Sequence, residues 1–155
     1  MIRIEKIQTE ENNGKTRLIA DIFLSNDTFG KWEKSCCDPN MKSRYHREFA
    51  DAVGNWKMWY EVDQKYEKML CTERSDAFVV ACLYYAMVTG EDIQCEVPVT
   101  ERLLYQLNEY IIPSLCRPTN EYKRIHVMAK PAQQITPLTH YVGTGVSCGV
   151  DSFSS

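Results

Sequence analysis

The sequence contains no strong excess of charge of either sign and no long uninterrupted apolar run. Its 155 residues carry a net charge of −3, with 18 basic and 21 acidic side chains. A protein that coats nucleic acid needs a broad basic field, so this class is excluded. The longest apolar run, Ala77 to Val88, falls short of the roughly 20 residues that cross a bilayer. We therefore expect no nucleic-acid partner and no membrane partner.

The N-terminus lacks the continuous apolar segment of a signal peptide, since Met1 to Lys6 alternates apolar with charged residues. A cytoplasmic location is the default expectation. The seven cysteines are odd in number and contain no Cys-x-x-Cys pair, so neither a disulfide framework nor a zinc site is indicated. Most are expected to be small buried hydrophobic residues, and the adjacent pair Cys36 and Cys37 is the first exception to consider.

What the sequence does contain is a series of strand and helix signals. Residues 2–9 and 16–24 predict a β-hairpin, because Asn13-Gly14 between them tolerates positive φ at a tight turn. Residues 56–62 alternate as a third strand. Thr72 and Gly90 are predicted to bound an apolar, largely enclosed helix.

Further along the chain the signals continue. Residues 92–97 predict a short strand, and Thr100 is expected to cap a second helix. Four residues of that helix are expected to form its buried stripe, and two prolines to close it: Leu103, Leu104, Leu107 and Ile111, with Pro113 and Pro118. Residues 122–129 predict another strand, and 130–139 a linker between domains.

Two stretches leave alternatives open. In residues 26–55, Met41, Tyr45, Phe49 and Val53 recur at helical spacing; the basic residues on the polar side of that helix indicate either an anion patch or, more commonly, a solvated face. Trp56, Trp59 and Tyr60 on the third strand fit an aromatic cage or ordinary sheet packing, and packing is the commoner outcome.

The most specific motif lies near the end of the sequence. Ser147-Cys148-Gly149-Val150-Asp151-Ser152 follows an apolar strand, Tyr141 to Val146. A strand that turns through small residues into a helix presents backbone N–H groups to an anion. Serine hydroxyls add donors, and the carboxylate of Asp151 is a ligand that Mg²⁺ prefers. The motif therefore predicts a cradle for a polyphosphate.

Two other phosphate loops are excluded by residue type. A Walker loop ends in Gly-Lys-Ser/Thr, and no lysine follows Lys130. The dinucleotide fingerprint requires a glycine three residues after its second glycine, whereas Gly145 is followed by Gly149.

Residues 146–153 resemble the pyrophosphate loop, Ser-Gly-Gly-x-Asp-Ser, of the N-type ATP pyrophosphatases, which include the synthetase domain of asparagine synthetase and 7-cyano-7-deazaguanine synthase. The resemblance implies ATP and Mg²⁺ as cofactors, adenylation of a small-molecule substrate with release of pyrophosphate, and attack by a nucleophile. It implies that the loop, Ser147, Cys148, Gly149, Val150, Asp151 and Ser152, holds the ATP phosphates and that Asp151 works with the metal. Cys148 departs from the pattern, where the family has glycine.

These observations predict an α+β domain over residues 1–135, built from a small mixed sheet with packed helices. It is followed in residues 140–155 by the first strand and phosphate loop of an α/β nucleotide-binding domain. We expect the chain to be the N-terminal part of an ATP-dependent ligase or amidotransferase-like enzyme, inactive as this portion alone. Its N-terminal domain would shape the substrate entrance or a homo-oligomer interface. The alternative is a non-catalytic binding or scaffold module with a relic phosphate loop.

Overall fold

The computed structural model describes residues 1–25, 54–118 and 121–133. Within these ranges the chain is α+β, as predicted, with a five-stranded mixed sheet and a separate pair of short strands. The strands are β1 (Ile2–Asn12), β2 (Lys15–Leu24), β3 (Gly54–Asp63), β4 (Ile93–Cys95), β5 (Val99–Thr100), β6 (Val127–Met128) and β7 (Pro131–Ala132). The helices are a 3₁₀ helix (Gln64–Met69), α1 (Asp76–Thr89), α2 (Glu101–Gln106), a π turn (Leu107–Ile111) and α3 (Ile112–Cys116).

The predicted hairpin is confirmed. β1 and β2 pair antiparallel, with Asn12 opposite Lys15, and Asn13 and Gly14 form the turn at φ 49° and 77°. Both turn residues occupy the left-handed region, which matches the right-handed twist of the flanking strands. This turn is followed by one register from Asn12 opposite Lys15 to Ile7 opposite Ala20, and the register shifts at an irregularity between Ile4 and Ile7.

The large sheet has the strand order β3-β2-β1-β4-β6. β3 pairs antiparallel with β2 along its full length, whereas β4 runs parallel to β1 and β6 parallel to β4. The third strand is thus confirmed, slightly longer than the alternation of residues 56–62 predicts. β3 and β4 run in the same direction in this sheet, so their connection must cross over, and α1 lies in that connection.

The core lies between α1 and one face of this sheet. The strands contribute a row of fully buried side chains that includes Ile2, Ile4 and Ile22, and α1 contributes Phe78 and Met87. Burial of apolar surface is worth about 25 cal/mol per Å², so these fully buried side chains stabilise the fold.

α1 differs from its prediction at two points. Ser75, not Thr72, occupies the N-cap position. The helix is not enclosed on all sides: Val80 and Tyr84 are 53% and 52% exposed. A sheet covers only one side of a helix, so an apolar sequence all around does not by itself enclose it. At the other end Gly90, at φ 73°, terminates α1 as predicted.

The second helical segment begins after Thr100 as predicted. Its buried face differs from the predicted one after Leu107. Leu107 and Ile112 are buried, whereas Ile111 is 37% exposed. The π turn adds a residue to one turn and rotates the following face. Pro113 does not close the segment: it lies at the start of α3, which runs on to Cys116. Proline lacks the N–H that would bond to Glu109 in a regular helix, and the wide turn just before it accommodates that loss.

The last described stretch is only partly strand. Of the predicted residues 122–129, Val127 and Met128 form β6, although Ile125 and Val127 are buried on alternate positions as expected. The predicted linker begins inside the folded unit, because Pro131 pairs with Val99 in the β5–β7 sheet. Residues 134–139, and the helix predicted from Met41 to Val53, lie outside the described residues.

Gly90→Ala is expected to lower the free energy of unfolding by about 1–2 kcal/mol, because an L-residue is disfavoured in the left-handed region. A Cβ at this position would also lie 2.6 Å from Lys123 Cδ, which a flexible side chain can relieve. Gly14→Ala is the matched control, since its φ is 77° and nothing lies within 4 Å of the added carbon. Urea denaturation of both variants should give losses of the same order. An unchanged stability for Gly90→Ala would contradict the helix termination described.

Candidate functional site

The predicted phosphate loop, Ser147 to Ser152, and the strand before it lie outside the described residues. The structure therefore describes the part of the chain that leads toward the loop. Gln133 is the last described residue on this path, and its carbonyl oxygen accepts a hydrogen bond from Arg74 Nη2 at 3.4 Å. This contact places the outgoing chain beside the N-terminus of α1.

The N-terminus of α1 is joined to β5 by side-chain hydrogen bonds. Asp76 accepts from the backbone N–H of Thr100 at 2.8 Å and from its hydroxyl at 2.5 Å. Ser75 donates its hydroxyl to the Val97 carbonyl at 2.9 Å. Thr100 thus occupies its predicted N-cap position, but its hydroxyl bonds to Asp76 rather than to its own helix. These hydrogen bonds hold the start of α1 against β5 and the residues just before it.

A cleft of about 590 Å³ opens beside this junction. Its walls come from the 3₁₀ helix region, the first turn of α1 and the start of α2. Its polar residues are Arg74, Asp76, Thr100, Arg102 and Gln106, and its other lining residues are Leu18, Met69, Leu70, Cys71, Ala77 and Leu103. We call it the β5 cleft. The sequence predicts none of these residues as part of a binding site, although it predicts Thr100 as a helix cap and Leu103 as a buried helix residue, since they converge from segments that are distant along the chain.

A second, smaller depression adjoins the β5 cleft and shares Arg102 and Gln106 with it. Its other walls include Tyr105 and Tyr110, whose rings meet edge-on at 5.6 Å with their hydroxyl groups 3.3 Å apart. The hydrogen bond to Tyr110 raises the pKa of Tyr105. The Tyr105 phenol is therefore a neutral hydrogen-bonding group at physiological pH.

The aromatic residues of β3 do not form one cage. Trp59 lies on the opposite face of the strand from Tyr60, and the Arg17 guanidinium stacks 4.1 Å from the Trp59 ring centroid. Tyr60 packs 5.5 Å from Phe78 and donates its hydroxyl to the Ala77 carbonyl. The alternation of a strand separates these neighbours, so ordinary sheet packing accounts for them.

Glu61 on β3 is the centre of a polar cluster beside the turn of the β1–β2 hairpin. It accepts from Arg17 Nε at 2.7 Å, Asn12 Nδ2 at 3.1 Å and Lys15 Nζ at 3.1 Å. These hydrogen bonds, led by that of Arg17, lower the pKa of Glu61 to about 2. A carboxylate this acidic stays ionised at neutral pH, so its role is to tie β3 to the hairpin rather than to exchange protons.

The buried cysteines are unreactive. Burial raises the pKa of Cys82 and of Cys95 to about 12, so both remain thiols. This confirms the prediction for these two residues; Cys71 and Cys116 are only partly buried. Cys36, Cys37 and Cys148 lie outside the described residues. Across residues 1–25, 54–118 and 121–133, no three His, Cys, Asp or Glu residues are grouped to hold a metal ion.

The bonds between Asp76 and Thr100 can be measured by a double-mutant cycle. Asp76→Ala and Thr100→Val should each lower the unfolding free energy by about 1–3 kcal/mol, since each leaves a polar group of the partner unsatisfied. The double variant should lose less than the sum, with a coupling of at least about 0.5 kcal/mol. Thr72→Val is the control, because Thr72 makes no hydrogen bond within the described part of the chain. Strictly additive losses would show that the two side chains do not interact.

The Glu61 cluster predicts a specific pH dependence. The folded pKa lies near 2, below the ordinary value of 4.5, so the stabilisation is complete above pH 4.5 and is lost as pH falls toward 2. Wild type should therefore exceed Glu61→Gln in stability at pH 7, and the gap should narrow between pH 4.5 and 2 in denaturant titrations. Glu10→Gln, an exposed residue of the same hairpin, should show no such gap. A gap for Glu61→Gln that is constant with pH would contradict the assignment.

Comparison with protein-family models, with curated proteins and with solved structures found no match of any of the three kinds.

Proposed function

We propose that the protein to which this chain belongs is an ATP-binding enzyme of the N-type ATP pyrophosphatase kind. It would adenylate a group of a small-molecule substrate and release pyrophosphate. A nucleophile would then attack the adenylated group and displace AMP. The observation that carries the proposal is the sequence motif from Ser147 to Ser152, directly after the apolar segment Tyr141 to Val146 that the sequence predicts as a strand.

The chemistry of these residues supports the proposal. Backbone N–H groups around Gly149 and Val150, at a strand-to-helix turn, suit the pyrophosphate part of ATP. Ser147 and Ser152 would add hydroxyl donors, and Asp151 would bind the Mg²⁺ that neutralises the phosphates. Cys148 must then direct its side chain away from the phosphates, which negative φ at that position permits.

The fold of the preceding residues is consistent with this division. The described residues form an α+β unit with its own core, and its last strand, β7, pairs with β5 before Gln133. A nucleotide-binding domain that begins near residue 140 would therefore follow a unit that has its own core. In this proposal the N-terminal unit shapes the substrate entrance or a homo-oligomer interface.

A second candidate is a non-catalytic binding module with a relic loop, and Cys148 in place of the glycine of the resembling family favours it. Both candidates place the protein in the cytoplasm. In the described ranges no helix combines the length and apolarity that crossing a bilayer demands.

The gene downstream of the Ser155 codon distinguishes the two candidates. The enzyme proposal expects an open frame that continues with alternating strand and helix patterns, because the remaining strands and the adenine-binding residues must come from it. An immediate stop codon would favour the relic.

The polypeptide encoded by that frame should release pyrophosphate from ATP in the presence of Mg²⁺ and a suitable acceptor. Asp151→Ala should lower the rate at least about 100-fold, since removing one group that stabilises transition-state charge costs on the order of that factor. Ser154→Ala, outside the motif, is the matched control and should retain the wild-type rate. Pyrophosphate release measured by a coupled assay checks this, and full activity in Asp151→Ala would refute the assigned role.

A further inference from the structure

We propose that the β5 cleft is a binding site for a small organic oxyanion, a carboxylate or a phosphate attached to an apolar body. All of the residues of this site belong to the N-terminal unit, and none belongs to the predicted phosphate loop. The inference concerns described residues only and stands whether or not the proposed function is correct.

The first support is the state of the two arginines that line the cleft. Arg74 donates Nη1 to the Glu73 carbonyl at 2.9 Å and Nη2 to Gln133 at 3.4 Å, while its Nε is buried with no hydrogen-bond partner in the structure. Arg102 is exposed and makes no hydrogen bond or ion pair with any described residue. Both guanidinium groups therefore have donors to offer to a ligand.

The second support is the charge balance. Asp76 is the one acidic residue among the described lining residues, so two arginines against one aspartate leave a charge of +1. Both of its carboxylate oxygens already accept hydrogen bonds from Thr100. Asp76 is thus held by the β5 junction rather than by either arginine, and the local field favours an anion.

The third support is the shape and lining of the cleft. Its volume of about 590 Å³ lies within the range of roughly 300–1,000 Å³ that is usual for small-molecule sites. Leu18, Leu70 and Leu103 provide apolar walls beside the guanidinium groups. An inorganic ion alone would leave these walls uncovered, so the ligand should combine a charged group with an apolar portion.

Arginine also restricts the kind of anion. Its planar fork of N–H donors matches two oxygens of a carboxylate or phosphate at once, whereas a halide ion offers no such pair. The shared chemistry is therefore a multi-oxygen anion, and the experiment must separate the two headgroups.

The test uses the whole 155-residue chain labelled with ¹⁵N, titrated with benzoate, phenyl phosphate and the neutral analogue benzamide. Benzoate or phenyl phosphate should shift the amide signals of Ala77, Leu103 and Gln106 saturably, with benzamide at least tenfold weaker. The tighter of the two anions identifies the headgroup. No saturable shift with either anion, or equal binding of benzamide, would overturn the proposal.

Variants then locate the site. Arg74→Gln and Arg102→Gln should each weaken binding at least fivefold, and Arg102→Gln, an exposed side chain, preserves the fold if Arg74→Gln does not. Arg117→Gln and Arg124→Gln, exposed arginines away from the cleft, should leave the dissociation constant unchanged. The Ser147→Ala, Asp151→Ala double variant should also bind normally. Undiminished binding by Arg102→Gln, or loss of binding in the double variant, would place the anion elsewhere and refute the site.

Discussion

The fold depends on the burial of α1 against one face of the mixed sheet. Phe78, Val79 and Met87 from this helix meet the isoleucines of β1 and β2 in a single core. Because the helix is the crossover between β3 and β4, its two ends must be fixed for the parallel strands to align. Gly90 ends it in the left-handed conformation, and Ser75 and Asp76 attach its start to the β4–β5 connection.

The hydrogen bonds at the start of α1 also position the β5 cleft. Asp76 brings Thr100 and the start of α2 against the first turn of α1, and the β5 cleft opens beside this contact. β7 adds to β5 at the same place, so the chain leaves the described unit next to Arg74. A loop that follows at Ser147 would begin a short distance along the chain from an arginine-lined cleft.

Local signals in the sequence predict most of the elements but not their packing. Asn13-Gly14 and Gly90 require particular backbone angles, so the hairpin and the end of α1 follow from a few residues. Two features of the packing do not follow from local signals. Tyr84 is exposed because the sheet covers only the other side of α1. Ile112 is buried in place of the predicted Ile111 because a π turn precedes Pro113. The sequence does not predict the β5 cleft, since Arg74 meets Thr100 and Arg102 only through the hydrogen bonds that join the start of α1 to β5. The predicted phosphate loop is the reverse case, because it is a contiguous motif and the prediction needs no knowledge of the fold.

The most direct measurement of the central claim observes the loop itself. In the complete polypeptide labelled with ¹⁵N, pyrophosphate added with Mg²⁺ should shift the backbone amide signals of Gly149 and Val150 saturably, because their N–H groups would donate to the phosphate oxygens. Amide signals of these residues that stay unchanged at saturating pyrophosphate would contradict the assignment of residues 147–152 as a phosphate-binding loop.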